Sequence, residues 1–140
     1  PQTVEAKYPA WPDEGDSIWL PRPPMTSVTG VYYYDENGTE QTLSSSAYIA
    51  DTASAPGMVT NKPDYSWPAL ESSRALPVRV RYVVGYADAA SVPSSIIAGM
   101  LLLIGHWYRN REEVVTGTIV SKMDMGAEQL FRMNACEWGW

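Results

Sequence analysis

A single histidine, His106, lies in the stretch VPSSIIAGMLLLIGHWYRNREE, Val92 to Glu113, and a single cysteine, Cys136, lies near the end of the chain. Histidine suits general acid–base work and cysteine suits nucleophilic attack, but each needs a positioned partner. Serines are abundant, yet none sits in a G-x-S-x-G nucleophile elbow. No acid–base cluster emerges from the spacing, so no catalytic residue is assigned and the chain reads as a non-enzyme. One His and one Cys would leave a zinc site to carboxylates, against the preference of that metal, so neither a metal nor a cofactor is expected. The residues with contact chemistry lie elsewhere. Arg109 and Arg111, followed by Glu112 and Glu113, close the apolar stretch in charge. A guanidinium fork binds a carboxylate through two hydrogen bonds, so these residues are expected either to pair across an interface or to form a solvated helix end. Trp138 and Trp140 flank Gly139 in a tail too short to fold alone. They are expected to anchor in a groove of a neighbouring molecule or to dock back on their own domain.

The 140 residues carry a net charge of −6, and the ten basic residues form no run, which argues against wrapping DNA or RNA. The lone cysteine leaves no internal disulfide and fits a reducing compartment. The first residues hold no basic-then-apolar leader, so no signal peptide is expected. Six Trp and nine Tyr stand against one Phe. Their apolar bodies and polar tips suit half-buried surfaces and partner contacts, or packing on the domain's own sheet. A carbohydrate-binding β module is the alternative such aromatics raise, though the long apolar helix disfavours it.

These side chains must be positioned by an α+β fold: a small antiparallel β domain, one long buried helix and a short C-terminal helix. The apolar run Ile96–Gly105 is about half of what a membrane span requires, so it is read as a buried helix over residues 92–113. Ser91 is its expected N-cap. Ile97, Met100, Leu101, Ile104 and Tyr108 share one face, and Ile96, Leu103 and Trp107 form a second stripe, so both sides need cover. Val28–Tyr34 and Thr39–Leu43 read as a hairpin closed by a type I′ turn at Asn37-Gly38. Residues 77–86, PVRVRYVVGY, alternate as a strand with one wet face, SIWL is a short strand, and one or two more lie between Ser44 and Ala75. Residues 1–16 are read as an extended N-terminal segment, and 17–86 as the β-rich part of a single domain. Asp124 is the expected cap of a last helix over 124–134, with Leu130 and Met133 inward.

In order along the chain stand the strand end Leu20–Pro24 (LPRPP), the tyrosine hairpin Tyr32–Tyr34, the V-x-Y-x-x-G-Y pattern Val80–Tyr86, Val92-Pro93, and the helix end Tyr108–Glu112. Over roughly Ser17 to Gly117 this resembles the head–tail connector, or adaptor, family of tailed bacteriophages and gene transfer agents. Members of that family usually start with a helical segment that would precede Pro1, and their tails carry prolines that KMDMGAEQLFRMNACEWGW lacks. The resemblance implies a non-enzymatic virion part of the neck, assembled in the host bacterial cytoplasm. It would form a homo-oligomeric, dodecameric ring between the portal protein and a downstream neck, stopper or tail protein. DNA would only pass through the channel, past an acidic chain that repels it, and no membrane would be involved.

Overall fold

Alternation decides the centre of the β part. In β7, Val78–Val84, the side chains of Val78, Val80 and Tyr82 are fully buried while Arg79 and Arg81 point the other way, the period of two that a half-wet strand requires. The computed structural model describes residues 1–13, 15–109 and 125–135. Contacts divide the chain into two compact units, Pro1–Ala87 and Asp88–Trp140.

In the first unit β7 lies between β1 (Gln2–Tyr8) and β3 (Met25–Tyr34), with β4 (Glu40–Leu43) outside β3, in a four-stranded antiparallel sheet ordered β1-β7-β3-β4. A second antiparallel sheet is ordered β2-β6-β5, from Ser17–Leu20, Gly57–Asn61 and Tyr48–Asp51. Ile18, Leu20 and Val59 of the second sheet join Val31, Val78, Val80 and Tyr82 of the first in one core. Burying each such side chain contributes about 1.5–3 kcal/mol. The N-terminal segment therefore does more than extend: residues 2–8 pair along β7 from Gln2↔Val84 to Tyr8↔Val78, and the β part begins well before Ser17.

The hairpin forms where expected but by a different turn. Among the described residues Arg22 alone is a non-glycine with positive φ, so Asn37 lacks the conformation a type I′ turn demands. Instead the Gly38 N–H donates to the Asp35 carbonyl at 2.8 Å and Gly38 takes φ 75°. The Asp35 carboxylate organises the rest, accepting from the Asn37 and Thr39 N–H groups, each at 3.0 Å, and from Gln41 Nε2 at 2.8 Å.

In the second unit α1 spans Ser94–Arg109 and α2 spans Met125–Arg132. The expected cap at Ser91 is not the one used. Ser91 ends a 3-10 turn, Ala89–Ser91, and its N–H and hydroxyl donate to Asp88 Oδ1 at 2.8 and 2.7 Å. The Pro93 carbonyl takes the first helical bonds, from the Ile96 and Ile97 N–H groups. Asp124 lies outside the described residues. The two helices run antiparallel: Ser95 Oγ accepts from Asn134 Nδ2 at 2.7 Å, the Phe131 ring covers Gly99, and Leu102 reaches Gly126. Ala127 is fully buried and Leu130 and Phe131 are half-buried, whereas Met133, expected inward, is 73% exposed. At about 100° per residue it falls well off the face shared by 127, 130, 131 and 134.

Candidate functional site

Helix α1 is where the structure departs most from the expectation of a buried helix. Of its residues only Gly99 is buried. The half-buried side carries Ser95, Ile96, Leu103 and His106 beside Gly99. The absence of a Cβ at Gly99 admits the Phe131 ring: an added Cβ would stand 2.9 Å from it. On the other side Trp107, Met100, Ile104, Ile97, Tyr108 and Leu101 fall within an arc of about 120°, and every one of them is exposed. Leu101 is 63% and Ile104 56% exposed. Contiguous apolar side chains on one helical face mark an interaction surface more often than scattered ones do. Among the described residues no helix is long and apolar enough to cross a membrane.

Of the residues singled out for contact chemistry, Arg109 ends α1 and is exposed, with no ion pair to a described residue. Arg111, Glu112, Glu113, Trp138 and Trp140 lie outside the described residues, so the structure brings none of this set together. The charged cluster it does build went unread in the sequence, because its members are far apart in the chain. On the outer face of the four-stranded sheet Glu5 stands 3.0 Å from Arg81 and 3.8 Å from both Arg79 and Lys7. Arg79 also pairs with Glu40 of β4, passing over the Tyr34 ring at 5.2 Å, while Arg74 covers that ring at 3.7 Å and pairs with Glu71 at 2.8 Å.

The titrating groups act as structural acceptors. Hydrogen bonds from Gln41 and the Thr39 backbone hold the Asp35 carboxyl below the usual range, Ser54 and the Ala53 backbone do so for Asp51, Arg74 and Ser73 for Glu71, and Ser91 for Asp88. A general acid needs the opposite shift. Burial pushes the Tyr8 phenol far up, and its hydroxyl donates to the Trp19 carbonyl at 2.6 Å. Among the described residues no three His, Cys, Asp or Glu side chains gather as a metal site. Several aromatics serve the sheet itself: Trp11 stacks on Trp67 at 4.5 Å and its Nε1 donates to the Pro68 carbonyl, and Tyr82 donates to the Pro21 carbonyl at 2.8 Å.

No protein-family model matches the sequence, and no curated protein matches it. Solved structures do. A chain in the neck of a native GTA particle, computed with C12 symmetry, superposes with a TM-score of 0.64 over 92% of this chain and 68% of its own, at 17% identity. A chain in the virion of a native gene transfer agent particle gives 0.65 over 94% and 63%, also at 17% identity. A third, in the neck of an empty GTA particle computed with C6 symmetry, gives 0.62 over 92% and 64%, at 18% identity. The chain thus spans about two thirds of the length of the chains it resembles, and the likeness is one of fold.

Proposed function

We propose that this chain is a structural, non-enzymatic virion protein: a head–tail connector or adaptor, acting as a single adaptor domain in a homo-oligomeric ring. The observation that carries the reading is the exposed apolar face of α1, from Ile97 to Tyr108. A closed ring covers such a face on every subunit, whereas a free monomer leaves it in water. The fold likeness to chains of symmetric GTA necks supports the same reading. In it, twelve copies sit between the portal protein and a downstream neck, stopper or tail protein, in the virion. DNA passes through a channel whose acidic subunits do not hold phosphates. Arg109 and Arg111 pair with Glu112 and Glu113 of a neighbour or with other acids of the ring, and Trp138 and Trp140 anchor the tail in a neighbour or the portal. The carbohydrate-binding alternative has less support, because Trp11 and Trp67 stack on each other.

Electron microscopy of the assembled particle neck tests the proposal. A closed ring of this chain beneath the portal is expected. A single copy, an open filament, or absence from the neck overturns it.

A further inference from the structure

The LPRPP corner between β2 and β3 holds the one described non-glycine residue with a left-handed backbone, Arg22 at φ 66°. Glycine enters that conformation freely, whereas a long side chain is strained in it. The corner is clamped on both sides of Arg22. The Pro21 carbonyl accepts from the Tyr82 hydroxyl and the Pro24 carbonyl from the Gly85 N–H, each at 2.8 Å, and Leu20 is buried. Glycine would satisfy this clamp without strain. An arginine held there points to a role for its side chain.

The surroundings of that side chain indicate the role. Arg74, Arg79, Arg81 and Arg132 are all paired with carboxylates, but Arg22 makes no ion pair or hydrogen bond with any described residue. It lines a cleft of about 330 Å³ with Tyr82 and residues Gln2–Ala6 of β1. Glu5 also lines the cleft, but its carboxylate is already engaged by Arg81 at 3.0 Å. Strand β1 is an edge of its sheet, so among the described residues its outer row of backbone N–H and C=O groups has no partner strand.

We propose that this edge takes an extended acidic segment of a protein partner as an added strand, with Arg22 binding its carboxylate. The backbone of β1 supplies hydrogen bonds to any extended chain, and the guanidinium selects one carrying a carboxylate. A nucleic acid fits less well. Its backbone offers no row of N–H donors for the free carbonyls of β1. The inference stands apart from the α1 face and does not depend on the ring.

Titration of the full chain, isotope-labelled for NMR, with the capped peptide Thr-Val-Glu-Val-Thr and with its Gln counterpart tests it. The Glu peptide should shift the amides of Gln2–Ala6 and Arg22, and the Gln peptide should bind at least fivefold more weakly. Arg22→Gly should weaken binding at least fivefold while melting at or above the wild-type temperature, because glycine relieves the strain. Arg22→Gln, which keeps most of the side-chain length, should lose binding to a similar extent. Absence of β1 shifts at millimolar peptide overturns the proposal, as does unchanged binding by either variant. So does inorganic phosphate displacing the peptide, which would reduce the cleft to a simple anion site.

Discussion

The exposed face of α1 makes a quantitative prediction for the double variant Leu101→Gln/Ile104→Gln. Fully burying a Leu or Ile side chain contributes about 1.5–3 kcal/mol. Leu101 is 63% and Ile104 56% exposed in the single chain, so that share of each contribution remains for an interface. Burying the remainder is worth about 1–2 kcal/mol per residue, or roughly 2–3.5 kcal/mol for the pair. In the proposed ring, that corresponds to a loss of about 30- to 400-fold in association between subunits. The subunit itself should barely notice. Glutamine has nearly the helix propensity of leucine and a better one than isoleucine, and substitutions of exposed side chains usually stay within about 0.5 kcal/mol. The assay counts copies incorporated into particles by quantitative mass spectrometry, beside a thermal melt of the purified chain. Normal incorporation would refute the interface reading, and a collapsed melt would show that the face belongs to the subunit's own core.

Three other perturbations follow from contacts described above. Gly99→Val places atoms where the Phe131 ring lies, since a Cβ alone would stand 2.9 Å from it; denaturant unfolding should show a loss of about 1–3 kcal/mol, and Gly99→Val/Phe131→Leu should recover part of it. Tyr82→Phe removes the hydroxyl that satisfies the Pro21 carbonyl; a loss of about 1–3 kcal/mol is expected in urea, and an unchanged midpoint would show that water replaces the bond. The carboxyl of Asp35 titrates below its ordinary value because the folded hairpin donates to its ionised form; its contribution is therefore present above the unfolded carboxylate pKa and lost as pH falls through the lowered folded value. Melting temperatures between pH 7 and pH 2 should drop less steeply in Asp35→Ala than in the wild type, and parallel curves would remove Asp35 from the hairpin's pH response.

Much of the β unit is legible because one buried face imposes a period of two, as along Val78, Val80 and Tyr82. The same period runs through Val4, Ala6 and Tyr8 in β1, but Glu5, Ala6 and Lys7 have weak strand preference, and the pairing with β7 spans seventy residues or more. The Asn-Gly pair signals a turn without fixing its type; the side chain of Asp35, two residues earlier, decides it. In α1 both stripes are apolar, so periodicity cannot say which one faces inward. Gly99 decides, because only a missing side chain lets Phe131 approach. Most of the Glu5 cluster is out of reach of sequence spacing: Lys7 lies two positions away, but Arg79 and Arg81 lie 74 and 76 positions away, and only the sheet register brings them in.

That cluster also bears on mutational tolerance. Glu5 is served by Lys7, Arg79 and Arg81, and Arg79 has a second carboxylate in Glu40. Glu5 keeps two cations when any one of its three is removed, whereas Glu40, among the described residues, loses its one ion pair with Arg79. Each such pair is worth little by itself, because water and salt screen it. A scan of single substitutions across Lys7, Arg79 and Arg81 would then record near-silence at Lys7 and Arg81 and would undervalue the lattice. Its worth would surface only in combinations, where Arg79→Ala joined to Arg81→Ala strips both strand-crossing links from Glu5 at once. Sequence drift at Lys7 and Arg81 is thereby buffered one change at a time and exposed at the second.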